Sequence, residues 1–194
     1  MGQSRCLRGI LISIGGVMGG AFNLDKYIRR VHDFPKKGIL FYDITSILVQ
    51  PEAFQFCIEA MVDLYRDKSI DAVACIEARG FLIGAPYAVR MGIPLIPIRK
   101  KGKLPGITLS KKFDLEYAQA EIEVHSEDVP SGKRVLLVDD LIATGGTLSA
   151  AKVLLNAGGA EVPEIFGVVG LPFLNYEKVL APTPVSTLIN YHGE

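Results

Sequence analysis

The stretch Val135-Leu136-Leu137-Val138-Asp139-Asp140-Leu141-Ile142-Ala143-Thr144-Gly145-Gly146-Thr147 limits the folds open to this chain more than any other. The unbroken aliphatic run Val135–Val138 suits a strand covered on both faces. Two carboxylates follow, and a loop of small and hydroxyl residues then opens a helical pattern over Thr147–Asn156, stopped by Gly158-Gly159. Small residues let backbone N–H groups close around an anion, and the helix dipole favours a phosphate there. Thr144 and Thr147 add hydroxyl donors. Two carboxylates next to such a cradle would repel an anion, so they must serve something else. They can accept hydrogen bonds from sugar hydroxyls or help to hold a metal. A ribose carrying a 5′-phosphate satisfies both halves of the loop. The plain alternative is a strand–turn–helix with acidic caps. No Gly-Lys-Ser/Thr follows, which excludes a Walker A loop, and the GxGxxG fingerprint is absent.

Similar punctuation recurs along the chain. Leu24–His32 has the spacing of a short amphipathic helix, and Phe34-Pro35-Lys36-Lys37-Gly38 breaks it before an extended Ile39-Leu40-Phe41. Pro51 starts a helix whose apolar face is Phe54, Ile58, Met61, Val62 and Tyr65. Asp71–Ile76 reads as a buried strand, followed by a helix over about 81–91. Ile93–Ile98 is a strand in which Pro94 and Pro97 mark ends or an edge. Lys100–Gln119 has no clean period and reads as a long functional loop. Ala120–His125, Val162–Val169 and Ser186–Asn190 supply further strands. Strands alternating with helices give an α/β fold, a mostly parallel twisted sheet flanked by helices. Ligands gather beyond the carboxyl ends of such strands. The loops to watch are Glu77–Gly80, Lys100–Gln119 and Asp139–Thr147.

Composition sets outer limits. The chain has 194 residues, with Lys+Arg 21 against Asp+Glu 21, so the formal net charge is zero. Binding to nucleic acid or to an acidic membrane relies on a large positive field and is not expected. The cysteines, Cys6, Cys57 and Cys75, form no CxxC pair or disulfide framework, which fits a reduced, cytoplasmic setting. Near the start, Arg5 and Arg8 precede an apolar run, Ile10–Val17, that imitates a signal peptide. The run is too short for a bilayer, which needs about 20 apolar residues. Residues 1–22 are expected to be an unstructured extension, with Met18 an alternative start. Residues 23–194 are expected to form one domain, including a small hood over about 23–50.

Val135–Thr147 resembles the 5-phosphoribosyl-1-pyrophosphate (PRPP) signature of type I phosphoribosyltransferases. The segments Phe34–Thr45, Ile76-Glu77-Ala78-Arg79-Gly80-Phe81, Arg99–Pro105 and Asp114-Leu115-Glu116-Tyr117 are similar to the adenine phosphoribosyltransferases of that family, in the same order. The resemblance spans roughly residues 23–191. It implies a purine-salvage reaction, adenine and PRPP giving AMP and pyrophosphate, in a homodimer with a flexible catalytic loop. PRPP or AMP would be held by Asp139, Asp140, Ala143, Thr144, Gly145, Gly146 and Thr147. Pyrophosphate would meet Ala78, Arg79, Gly80, Arg99, Lys100 and Lys103, while Lys101, Lys111 and Lys112 read as solvated charges. Glu116 would be the catalytic acid or base on the loop shared with Tyr117. Adenine would meet Leu40 and Tyr42, the latter standing where the family usually has Arg, and Ala118 replaces a common Gly. The expected cofactor is Mg²⁺, held mainly by PRPP, with Asp139 and Asp140 the protein groups able to reach it. Other readings are a transferase for hypoxanthine, guanine or xanthine, and a non-catalytic PRPP-sensing regulator.

Overall fold

The computed structural model describes residues 5–6, 22–114 and 119–193. Along the chain run β1 (Arg5–Cys6), β2 (Arg29–His32), β3 (Leu40–Asp43), α1 (Thr45–Leu48), α2 (Pro51–Tyr65) and β4 (Ala72–Ile76). Then come α3 (Arg79–Met91), β5 (Leu95–Lys100), β6 (Thr108–Asp114), β7 (Gln119–His125) and β8 (Val135–Ile142). The last elements are α4 (Gly146–Ala157), β9 (Ile165–Gly170), α5 (Tyr176–Leu180) and β10 (Val185–Asn190). The main sheet is ordered β1-β10-β9-β8-β4-β5-β7-β6, and β2-β3 form a separate hairpin. Strands β1, β10, β9, β8, β4 and β5 pair in parallel, whereas β7 joins antiparallel to β5 and β6.

Alternation along the central strands divides the core. Val73 and Cys75 of β4, with Leu136 and Val138 of β8, face the cluster under α2 and α3. Ala72, Ala74 and Ile76, with Val135 and Leu137, face the cluster under α4 and α5. Both faces are covered, so these strands are apolar throughout. Helix α3 lies very close to the sheet, because a Cβ on Gly84 would overlap the Cys75 Sγ. From β4 the chain passes to β5 on one side and eventually to β8 on the other. The carboxyl ends of β4 and β8 therefore diverge at a topological switch point, where a crevice opens.

Three expectations need correcting. Leu24–His32 is not one helix: Leu24–Tyr27 make a 3-10 turn capped by Asn23, and Arg29–His32 pair with Leu40–Asp43. So short a helix is marginal by itself, while pairing supplies a ladder of backbone bonds. The supposed loop over 100–119 contains β6, whose Leu109 and Phe113 pack on the second core cluster. Its two adjacent lysines, Lys111 and Lys112, obscured the strand pattern. In the expected extension, Arg5–Cys6 lie parallel to Ser186–Thr187 of β10 and cover what would otherwise be a bare sheet edge. Phe22 stacks on Tyr27 and Phe56, at 5.2 and 4.3 Å between centroids, so the packed core begins there. No helix among the described residues is long and apolar enough to cross a membrane.

Candidate active site

At the switch point lies a cleft of about 700 Å³. Its apolar wall is Ile76, Ile98, Phe113 and Ile122, and its polar wall includes Glu77, Arg79, Lys100, Asp139, Asp140 and Thr147. Strand β8 runs further than the sequence suggested, so both aspartates are strand residues and point to opposite sides. Asp140 is 3% exposed and accepts a 2.6 Å hydrogen bond from Arg79 Nε. Burial pushes the Asp139 carboxyl well above the usual carboxylate range, and the neighbouring Asp140 charge adds to it.

After β8 comes the anion cradle. Gly145 has φ 83° and caps α4, with no side chain hydrogen-bonding the first-turn amides. A Cβ there would also stand 3.1 Å from Leu180 Cγ, so both conformation and space require glycine. The first-turn N–H groups of this twelve-residue helix lack intrahelical partners, and Thr147 of that turn lines the cleft. Gly80 presses the opposite loop against β8, where a Cβ would lie 3.1 Å from the Val138 carbonyl oxygen.

The structure thus brings Ala78, Arg79, Lys100, Asp139, Asp140 and Thr147 to one cavity. Arg99 is placed differently: its Nη2 donates to Glu77 Oε1 at 2.8 Å and its Nη1 to the Lys103 carbonyl at 3.1 Å. Tyr42 is buried at 5% exposure, stacked on Tyr191 at 3.9 Å, so its ring does not line the cleft; nor does Leu40. Arg30 lies over both rings and, with Tyr191 Oη, donates to Asp25. Lys101, expected to be merely solvated, lines the cleft and pairs with Glu123 Oε2 at 3.0 Å. Glu116, Tyr117 and Ala118 lie outside the described residues.

Sequence reasoning missed Glu77, Glu123 and Tyr191. Glu77 accepts from Arg99 and from the Lys100 amide, contacts that hold its carboxyl below its ordinary range. It stands beside Ala78-Arg79-Gly80, yet nothing in that segment reveals its partner. Glu123 sits in the alternation of β7, where a charged residue ordinarily marks the solvent face.

A diacid strand, a small-residue loop opening a helix and a facing arginine meet at the switch point of a parallel sheet. A phosphoribosyl transferase domain model matches residues 43–171. The adenine phosphoribosyltransferase of Treponema denticola is 65% identical over 171 residues, covering 88% of this chain and 90% of that protein. The crystal structure of the Thermoanaerobacter pseudethanolicus adenine phosphoribosyltransferase superposes with a TM-score of 0.84 at 43% identity, over 87% of this chain and 98% of that one. The Giardia lamblia enzyme complexed with 9-deazaadenine gives 0.81 at 36% identity, over 87% and 96%. The chain belongs to the phosphoribosyltransferase family, among its adenine phosphoribosyltransferases.

Proposed function

We propose that this chain transfers the 5-phosphoribosyl group of PRPP to N9 of adenine, forming AMP and releasing pyrophosphate. The observation that carries this reading is the pair Asp139–Asp140 running directly into the cradle before α4, opposite Arg79 and Lys100 in one cleft. The 5′-phosphate is held by the Ala143–Thr147 backbone and the Thr144 and Thr147 hydroxyls. Asp139 and Asp140 accept hydrogen bonds from the ribose hydroxyls. Adenine meets β3 at Leu40 and Tyr42 through backbone groups, since the Tyr42 ring is committed to Tyr191. The free edge of β3, unpaired by the main sheet, suits an edge-on heterocycle.

As the bond from C1 to pyrophosphate lengthens, positive charge grows on the ribose ring and negative charge on the leaving group. Arg79 uses only Nε for Asp140, which leaves its terminal amines for pyrophosphate beside the Ala78–Gly80 backbone. Lys100 and Lys103 add charge from the end of β5, and Arg99 does so from behind them. Glu116 handles the purine proton, and its loop excludes water that would capture the ribosyl cation.

The protein groups fit Mg²⁺ that is held mostly by substrate. Among the described residues no cluster of three metal-binding side chains exists, and Asp139 and Asp140 are the groups that would offer hard oxygens to such an ion. Bound there, Mg²⁺ would neutralise leaving-group charge. The reading extends to a cytoplasmic homodimer, in keeping with the free buried thiols Cys57 and Cys75. Light scattering that finds only monomer at micromolar concentration would remove the dimer. The activity is tested by AMP formation from radiolabelled adenine, PRPP and Mg²⁺, with hypoxanthine and guanine as competitors. Effective competition by either base would reassign the substrate, and no AMP at any concentration would end the proposal.

A further inference from the structure

Glu123 is 1% exposed on β7, although the rest of that strand buries only apolar side chains. A carboxylate so placed is costly unless its oxygens are fully hydrogen-bonded. Every donor comes from one short stretch. The amides of Lys103 and Leu104 both donate to Oε1 at 2.9 Å, while Thr108 Oγ1 and Lys101 Nζ reach Oε2 at 3.2 and 3.0 Å. Burial by itself pushes this carboxyl up, but those donors outweigh it and hold it at about 2. The same turn is gripped from its other side, where the Lys103 carbonyl accepts from Arg99, itself held by Glu77.

Two of the four cations at the end of β5 are therefore consumed by internal carboxylates, Arg99 by Glu77 and Lys101 by Glu123. Lys100 and Lys103 have no ion-pair partner among the described residues. We propose that Glu123 is a positioning residue for pyrophosphate: its Oε1 fixes the Lys101–Leu104 turn, which follows directly on Lys100 in the cleft wall and carries Lys103 beside it, so that the two ammonium groups are held for the ligand. Arg99 and Lys101, the latter also lining the cleft, are then struts of the turn. The inference deepens the functional reading above and rests on its assignment of pyrophosphate to this cleft.

The role depends on reach, not on charge, and two conservative variants separate the two. Glu123→Gln keeps an acceptor oxygen in place for both amides, and Lys101, whose side chain is 45% exposed, can swing away from the new amide group. Glu123→Asp keeps the charge but draws the oxygen back by one methylene, beyond both amides. Pyrophosphorolysis of AMP is measured with wild-type, Gln and Asp enzymes, alongside thermal melts. The expected result is a pyrophosphate KM raised about 10- to 100-fold in Glu123→Asp and only about threefold in Glu123→Gln. The AMP KM should stay within about twofold, while both variants melt lower than wild type because the buried carboxylate's hydrogen bonds are weakened or lost. An Asp enzyme better than the Gln enzyme would overturn the inference in favour of a charge effect. Equal losses for AMP and pyrophosphate would overturn it in favour of plain fold support. Wild-type enzyme that does not saturate with pyrophosphate would overturn the functional reading itself, and this inference with it.

Discussion

Tyr42 and Tyr191 stack with centroids 3.9 Å apart and planes 7° from parallel. The first belongs to the hood and the second follows the last strand, so this contact fastens the hood to the far end of the sheet. The Tyr191 hydroxyl donates to Asp25 at 2.6 Å, and Arg30 donates to the same oxygen at 2.7 Å. On the proposed reading, in which the base lies along β3, its position depends on that fastening.

Tyr191→Ala should therefore raise the adenine KM several-fold while leaving the PRPP KM near normal. Removing a stacked aromatic pair costs about 0.5–1.5 kcal/mol beyond its buried area, so melting should fall by several degrees. Tyr191→Phe keeps the stack and loses one hydrogen bond, about 1 kcal/mol, and should retain the adenine KM. Equal rises in both KM values would disconnect the stack from the base.

Asp139→Asn and Asp140→Asn should both weaken PRPP binding by about 10- to 150-fold, the worth of a charge-assisted hydrogen bond of roughly 1.5–3 kcal/mol. Their stabilities should diverge. The Asp139 carboxyl is pushed up, so its ionised form opposes folding at neutral pH, and the neutral amide should match or raise the melting temperature. Asp140→Asn strips Arg79 of its carboxylate and should lower it. Calorimetry and PRPP titration on both variants check the contrast.

Acid should act through Glu123. Its folded pKa of about 2 lies below the ordinary 4.5, so its stabilising contribution is complete above about 4.5 and disappears as pH falls through about 2. Urea denaturation between those limits should show a shallower pH slope for Glu123→Gln than for wild type. An unchanged slope would mean that other carboxylates dominate the acid limb.

Gly84→Ala should destabilise by about 1–3 kcal/mol, because the new methyl overlaps the Cys75 Sγ under α3. Cys75→Ala in the same chain should restore most of the loss. Failure of that rescue in denaturant titrations would place the strain elsewhere.

Glu116→Gln should leave the fold and PRPP affinity nearly intact and lower kcat by about 10²- to 10⁴-fold, the usual contribution of a positioned proton-transfer group. Near wild-type turnover in steady-state assays would transfer the proton chemistry to another residue and leave its loop a shield against water.

Val135–Thr147 was legible in the sequence because its meaning is local. Four aliphatics, two carboxylates and a small-residue loop specify strand, acidic end and helix entry by steric and dipolar rules that act within a few residues. Gly80 and Arg79 were legible for the same reason, and the structure adds only what they touch. The element β6 was hidden because its apolar residues, Leu109 and Phe113, are few and its lysines adjacent, so the strand exists mainly through pairing with β7.

What the sequence by itself determined is the alternating α/β plan and the strand-end loops that line the cleft. Only tertiary structure decided which charges remain available to a ligand. Arg99 and Lys101 resemble Lys100 and Lys103 in sequence, yet carboxylates from β4's end and from β7 neutralise them. The Tyr42 ring likewise looks free to stack on a ligand until Tyr191 arrives from the other end of the chain to cover it. Periodicity records how each element divides apolar from polar faces. It does not record which distant side chain satisfies a buried or half-buried polar group, because that pairing exists only once separate elements have docked.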